Sequence, residues 1–233
     1  MRRLAGVSSI LAIGLLAGCG GAQTSPSSSV VIDPTSPTDT LAASASARPS
    51  AAGVGALCAE GRQSCPLEAG TYSSAPFEPE FTFSVDDEWT NDRAYAEAGA
   101  VSRENGALSW ASGVTVGTVG GEDFLIGPTA DEFVAFLQAL EATAIDVSDP
   151  TPVTVADVSG QQVDVTTGPV DAGSLFFLDD DEFGLVADEK ARFLVLDNEG
   201  EHLVFILESY VATDFDEWIE TVTPVVESVT WTE

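Results

Sequence analysis

The sequence predicts an α+β domain in which helices cover both faces of an antiparallel sheet, an α-β-α sandwich. Three patterns predict it: apolar and polar residues alternate between residues 81 and 116, two segments carry apolar residues at helical spacing, and a late hairpin is apolar on both faces. Hydrophobic residues make up 44% of the 233-residue chain, which excludes a chain disordered throughout. Residues 57–233 have the length of a single globular domain.

Strand patterns fill the first half of this domain. Residues 81–85 (FTFSV) alternate apolar and polar side chains, and residues 108–110 and 114–116 continue the alternation. The glycine-rich run at residues 117–121 resembles a phosphate-binding loop in composition, but no lysine follows it. We therefore predict a bend or bulge between strands there.

A first helix is predicted after Thr129, which forms a capping box with Glu132. The apolar residues that follow at helical spacing are Phe133, Phe136, Leu137 and Leu140. Residues 153–165 return to a strand pattern, with Gly160 predicted at a turn or bulge.

The late hairpin consists of two apolar runs, residues 193–196 and 203–207, on either side of a turn that ends in Gly200. Strands without alternation belong in the middle of a sheet covered on both sides. We expect one face to carry Phe193, Val195, Leu203, Phe205 and Leu207, and the other to carry Leu194, Leu196, Val204 and Ile206.

A final helix is predicted over residues 213–231, with Thr213 and Asp216 in the capping positions. Pro224 is expected to kink or restart it. Its apolar face contains Phe215, Trp218, Ile219 and Val222.

The N-terminus, MRRLAGVSSILAIGLLAGC, has a basic start, a short apolar core and small residues before Cys19. This apolar run is shorter than the roughly 20 residues that a membrane-spanning helix needs. The tetrapeptide at residues 16–19 (LAGC) resembles the lipobox of bacterial lipoproteins, the alternative being an ordinary signal peptide with an incidental cysteine. The resemblance implies that residues 1–18 are a signal peptide cleaved before Cys19 and that the Cys19 thiol carries diacylglyceryl. Two acyl chains anchor a protein durably in a lipid bilayer.

Residues 19–56 are dominated by Ser, Thr, Ala, Pro and Gly, and we predict a disordered stalk between the lipidated Cys19 and the domain. Removal of residues 1–18 takes Arg2 and Arg3 and no acid, which changes the formal net charge from −30 to −32. A chain with this net negative charge repels nucleic acid, and we therefore exclude nucleic acid as a partner. The expected location is the extracytoplasmic face of the cell membrane.

Two cysteines remain, Cys58 and Cys65, and we predict that they form a disulfide, as close cysteines in an exported chain do. A metal site would need further soft ligands, and His202 is the only histidine. We expect His202 to be a solvated residue at the end of a strand and assign no metal ligands.

Carboxylates are abundant, and the densest run is DDDE at residues 179–182. Its spacing, like that of residues 197–200, does not fit an EF-hand, so we predict solvated loop charge and no cofactor, with calcium as the remaining alternative. A carboxylate pair for hydrolysis would need one raised pKa.

The aromatic residues Tyr72, Trp89, Trp110, Trp218 and Trp231 are expected to pack in the core rather than to line a ligand groove.

The run from Gly70 to Trp89, with FTFSV between them, resembles the opening of many lipoproteins from high-GC bacteria. The order of strands, one helix, strands, a long hairpin and a last helix ending in ESVTW at residues 227–231 is similar to the PsbP-like α-β-α sandwich family. Members often have Pro-x-Gly-Trp after the first strand, where this chain has Asp86, Asp87, Glu88 and Trp89. The family shares no catalytic set, so the resemblance implies no catalytic residues.

These patterns favour a membrane-anchored, non-catalytic binding or accessory module of the cell envelope, with an unknown envelope ligand or protein as partner. No nucleophile elbow, S-x-x-K, P-loop or H-E-x-x-H motif is present in the sequence. The alternatives are a carboxylate-based extracytoplasmic hydrolase and a purely structural envelope lipoprotein.

Overall fold

The structure, a computed structural model, describes residues 53–58, 64–143, 145–169, 171–178 and 181–232. The predictions for the signal peptide, for Cys19 and for most of the stalk lie outside these residues. The first described strand, Gly55–Ala56, falls at the end of the segment predicted as stalk.

Strands make up most of the described chain. In chain order they are β1 Gly55–Ala56, β2 Cys65–Leu67, β3 Gly70–Ser73, β4 Phe81–Val85, β5 Trp89–Ala94, β6 Ala98–Arg103, β7 Gly106–Ser112, β8 Val116–Val119, β9 Glu122–Leu125, β10 Asp146–Val147, β11 Thr151–Val155, β12 Val158–Thr166, β13 Gly173–Leu178, β14 Asp181–Leu185, β15 Lys190–Asn198, β16 Glu201–Ser209 and β17 Thr230–Trp231. The helices are α1 Ala130–Ala139 and α2 Phe215–Glu227, with 3-10 turns at Leu140–Thr143 and Ala212–Asp214.

A nine-stranded antiparallel sheet forms the centre of the fold. Its order is β10-β12-β15-β16-β7-β6-β5-β2, and β11 also pairs with β12. The hairpin β15–β16 lies in the middle of this order, as its apolar sequence predicts, because neighbouring layers cover both of its faces.

Each face of the central sheet is covered by one helix and one small sheet. The sheet β1-β3-β4-β17 and α2 pack on one face, and the sheet β14-β13-β8-β9 and α1 pack on the other. The prediction of a sheet covered on both faces in an α+β domain is confirmed. The structure differs from the predicted α-β-α sandwich in its covers, because a four-stranded sheet shares each outer layer with a helix and makes the fold β-rich.

The two hydrophobic cores correct the predicted faces of the central hairpin. Leu194 and Leu196 share a core with Leu203, whereas Phe193 and Val195 face the other core. The reason is the turn: Glu199 and Gly200 form a two-residue loop with φ of 57° and 91°, and Leu196 pairs directly with Leu203. Directly paired residues point to the same face, so Leu196 and Leu203 lie together, and the even-numbered apolar residues of β15 share a face with the odd-numbered ones of β16.

Helix α1 begins as predicted. The Thr129 hydroxyl oxygen accepts the Glu132 backbone N–H at 3.3 Å, and the Glu132 carboxylate accepts the Thr129 backbone N–H at 3.1 Å. The predicted apolar stripe, from Phe133 to Leu140, is buried.

Helix α2 differs from its prediction at both ends. Its N-cap is Asp214, which makes no side-chain capping bond, and Thr213 lies in the preceding 3-10 turn. The helix continues through Pro224 to Glu227, and Thr230 belongs to a strand that pairs with β4. Neither described helix is long and apolar enough to span a membrane.

Gly160 is not at a turn or bulge, as was predicted, but inside the paired part of β12. A Cβ there would clash with the Val195 carbonyl oxygen, so the close approach of β15 requires glycine. The turn lies before it, at Ala156 and Asp157, which both have positive φ. The glycine-rich run, predicted to be a bend or bulge between strands, contains the hairpin turn in which Gly120 and Gly121 join β8 to β9.

Core packing of the aromatic residues is confirmed for Trp89, Trp110 and Trp218, each at most 2% exposed. Tyr72 and Trp231 pack against the same core while partly exposed.

Candidate functional site

The predicted disulfide between Cys58 and Cys65 is present, with the two Cα atoms 6.3 Å apart. The Cys58 backbone N–H donates to Asn91 Oδ1 at 3.1 Å, and Cys65 pairs with Asn91 in the sheet. The disulfide therefore joins the start of the described domain to the edge of the central sheet. Cys19, the predicted lipidation site, lies outside the described residues.

His202 is not the solvated residue that the sequence suggested, because it is only 3% exposed. Its backbone N–H and its Nδ1 both lie within 2.9 Å of the Pro128 carbonyl oxygen, and its ring packs 5.1 Å from that of Phe133. Nδ1 therefore carries the proton and donates it, while Nε2 is buried without a partner. Burial lowers the pKa of His202 and keeps the ring neutral at pH 7.

The acidic runs form no metal site in the part of the chain that the structure describes, where no three His, Cys, Asp or Glu side chains are grouped to hold an ion. Asp179 and Asp180 lie outside that part. The carboxylate of Glu182 accepts a hydrogen bond from Ser174 at 2.7 Å. Asp197 accepts the Gly200 N–H at 2.9 Å and so closes the hairpin turn.

A cleft of about 410 Å³ opens on the side of the fold that contains α1. Three segments distant in sequence form its walls: the turn of the β8–β9 hairpin, the chain that follows α1, and the loop before β13. The described residues that line it are Thr118, Gly120, Gly121, Leu140, Thr143, Ile145, Gly168, Pro169, Asp171, Ala172 and Leu175. Ligand pockets in proteins commonly have volumes of roughly 300–1,000 Å³.

The floor of the cleft is apolar and its polar groups are few. Leu140 and Leu175 are each 1% exposed and separate the cleft from the core. Asp171 is the one charged side chain among the described lining residues, and its Oδ1 accepts the Ala187 backbone N–H at 2.9 Å. This hydrogen bond holds an exposed carboxylate at the cleft wall.

Three acidic side chains, the buried Glu189, the half-buried Glu208 and the exposed Tyr210, lie beyond Asp171. Glu189 is 6% exposed, and one of its carboxylate oxygens accepts the Val186 N–H at 2.6 Å. Burial raises the pKa of Glu189, and the nearby charge of Asp171 raises it further.

Burial has a larger effect on the other two members of this group. It raises the pKa of Glu208 to about 7, with a further contribution from the charge of Glu189 and an opposing one from Arg93. It raises the pKa of Tyr210 to about 12. At neutral pH the carboxyl group of Glu208 is therefore partly protonated.

Sequence reasoning missed both the cleft and the group formed by Glu189, Glu208 and Tyr210. The cleft has no local signature because it forms only where three segments meet: residues 118–121, residues 140–143 with 145, and residues 168–169 with 171–175. Glu208 follows the apolar run of β16, and that position was the available signal, since a carboxyl group at the end of a doubly covered strand loses water.

Comparison with known proteins adds no relative. Neither a scan against models of protein families nor a search of curated proteins found a match for this chain.

Proposed function

We propose that this chain is a lipid-anchored, extracytoplasmic binding module of the cell envelope and that it holds a small ligand in the cleft described above. The observation that carries the proposal is the cleft itself, which combines a volume of about 410 Å³, an apolar floor and one fixed carboxylate. Few polar groups on an apolar lining are typical of sites that bind and orient small molecules.

The N-terminal sequence supports the proposed location. The LAGC motif at residues 16–19 supports attachment of diacylglyceryl at Cys19, and the Ser/Thr/Pro-rich segment after it supports a stalk. The disulfide of Cys58 and Cys65 supports export, because such bonds persist in oxidising compartments. The order of elements, with one helix before the long hairpin and one after it, supports a β-rich relation to the PsbP-like sandwich.

A cleft-filling variant tests ligand binding. Ala172→Phe places a ring in the cleft, and Ala96→Phe makes the same change at an exposed loop residue outside it. We expect a small compound from the envelope fraction to be retained by the native chain and by A96F, and lost from A172F, as measured by mass spectrometry after denaturation. Equal retention by A172F, or retention of no compound by any form, would favour a purely structural lipoprotein.

The anchor is tested separately. The cell-purified chain is expected to begin at Cys19 with the mass of added acyl chains and to partition into the membrane fraction. Cys19→Ala should release it from that fraction. An intact signal peptide, or a reactive free thiol at Cys19, contradicts the proposed anchor without bearing on the cleft.

A carboxylate-based hydrolase is a second candidate, which the pKa of Glu208 favours. A carboxyl group with a pKa of about 7 is protonated in part at neutral pH, as a general acid must be. Against the hydrolase, the cavity beside Arg93 and Ile206, on the face of the sheet to which Glu208 also points, has a volume of only about 20 Å³. A cavity of this size leaves no room for a sugar or an acyl group. Release of products from envelope glycans or esters that Glu208→Gln abolishes would establish the hydrolase in place of the binding module.

A further inference from the structure

Two of the polar side chains that line the cleft, those of Thr143 and Asp171, offer hydrogen-bond acceptors, and the hydroxyl of the third, Thr118, can donate or accept. The Thr143 hydroxyl donates its hydrogen to the Leu140 carbonyl oxygen at 2.7 Å, so its oxygen is left to accept. The Asp171 carboxylate only accepts, and its bond from Ala187 uses one oxygen. A ligand that matches both groups must bring N–H or O–H donors.

Charge in and around the cleft is negative. None of the described Lys or Arg residues lines it. Arg103 binds Asp86 and Glu88 elsewhere, and Arg192 binds Asp164 through two hydrogen bonds of 2.8 and 2.9 Å. No described side chain of the lining therefore compensates the charge of Asp171, and Glu189 lies behind it as a second carboxyl group.

The apolar part of the cleft favours a ligand that also has an apolar portion. The side chains of Leu140, Ile145 and Leu175 would remove apolar atoms of a ligand from water, which stabilises a complex by about 0.8 kcal/mol for each CH₂ buried. A small inorganic cation would leave this surface uncovered, and a fatty acid would bring a second negative charge toward Asp171.

We infer that the cleft selects a monocation with a short apolar body, of the alkylammonium class, with its ammonium group on Asp171 and Thr143 and its hydrocarbon on the floor formed by Leu140 and Leu175. This inference rests on the proposed function, which it deepens by naming the class of ligand. It also gives the acidity of the chain a role in attracting the ligand, since a field of one sign raises the local concentration of opposite charges.

The test compares three probes with the same hydrocarbon chain: hexylammonium, hexan-1-ol and hexanoate. Each is titrated calorimetrically into the lipid-anchored chain at neutral pH, with a detergent blank, and at an ionic strength where the Debye length is about 8 Å. We expect hexylammonium to bind most tightly, hexanol more weakly, and hexanoate not at all.

A matched pair of variants distinguishes the effect of a charge inside the cleft from the effect of the protein's overall negative charge. Asp171→Asn keeps an oxygen for the Ala187 N–H and removes one negative charge. Asp157→Asn removes the same charge at an exposed turn outside the cleft, where φ is 69° and asparagine is well tolerated. D171N should weaken hexylammonium about tenfold, as loss of a charge-assisted hydrogen bond does, and leave hexanol unchanged. D157N should change neither.

The outcomes distinguish this inference from the function on which it rests. Equal affinity for hexylammonium and hexanol, or equal effects of D171N and D157N, overturns the inference and leaves a cleft that binds neutral ligands. Failure of all three probes to bind, or binding that A172F does not weaken, overturns the inference and also counts against the cleft as a binding site.

Discussion

Glu208 lies next to the end of β16, where its carboxyl group is largely removed from water and close to that of Glu189. Burial disfavours the charged form and raises the pKa from its usual 4.5 to about 7. The folded protein therefore binds a proton at Glu208 more tightly than the unfolded chain does. The stability that this proton contributes is fully present below pH 4.5 and is lost as the pH rises through 7.

Glu208→Gln should remove this pH dependence. A neutral amide has no charge to desolvate, so the variant should gain free energy of unfolding relative to the native protein between pH 5 and pH 8, by at most about 3 kcal/mol. Chemical denaturation at pH 5 and pH 8 measures the difference in free energy of unfolding between the two proteins. The titration of His202 contributes equally to both proteins and so cancels from this difference. A constant difference across this range would show that Glu208 does not titrate as described.

Single residues were the hardest level to predict from sequence. The disulfide of Cys58 and Cys65 was predictable because spacing and compartment suffice for it. The burial of His202 was not, since it depends on the Pro128 carbonyl oxygen, 74 residues away in the chain. A strand-end position indicates solvent only when no other element packs over it, and here α1 does.

At the scale of elements, the two helices begin differently. In α1 the Thr129 hydroxyl also donates to the Glu132 carboxylate at 2.8 Å, in addition to the two backbone bonds of the capping box. These bonds lower the pKa of Glu132. In α2 the Thr213 hydroxyl instead donates to the neighbouring Asp214 carboxylate at 3.0 Å, and no backbone N–H is capped.

Thr129→Ala and Thr213→Ala should therefore differ in cost. T129A leaves the N-terminal turn of α1 uncapped and should reduce the free energy of unfolding by about 1 kcal/mol. T213A removes only an exposed side-chain contact and should cost less than about 0.5 kcal/mol. Urea denaturation of both variants measures the two values, and equal costs would contradict the assignment of the caps.

Helices and strands were predicted well where the local sequence determines them. They were predicted poorly where a contact with an element distant in sequence determines their ends or faces. The sequence of α1 contains its own cap and apolar stripe, and its start was predicted to the residue. The end of α2 was not, because Thr230 and Trp231 leave the helical pattern to pair with β4, which is far away in sequence. The faces of β15 and β16 were assigned wrongly because Leu196 pairs directly with Leu203, which places these two residues on the same face.

At the scale of the whole molecule, the central sheet separates two hydrophobic cores that share the strands β15 and β16. The doubly apolar sequence of this hairpin allowed a covered sheet to be predicted. The four-stranded sheets that complete the covers were not predicted, because several of their strands have only two to four residues and carry too few side chains to show alternation.

The net charge of −30 gives a prediction for the whole chain. Carboxylates repel one another in the compact state, and salt screens that repulsion, with a Debye length that falls to about 3 Å at 1 M. We expect the melting temperature to rise by a few degrees between low salt and molar sodium chloride, measured by circular dichroism. A melting temperature that is unchanged or falls would show that the charge does not oppose folding.

The short strand β1 has a mechanical consequence. Tension on the chain before residue 53 reaches the fold first at Gly55 and Ala56, which hold to β3 through only two residue pairs. Once these release, the load arrives at Cys58, where the covalent bond to Cys65 passes it directly to β2 and then to β5. Pulling should therefore detach a short leader at low force, after which the pairing of β2 with β5 carries the load.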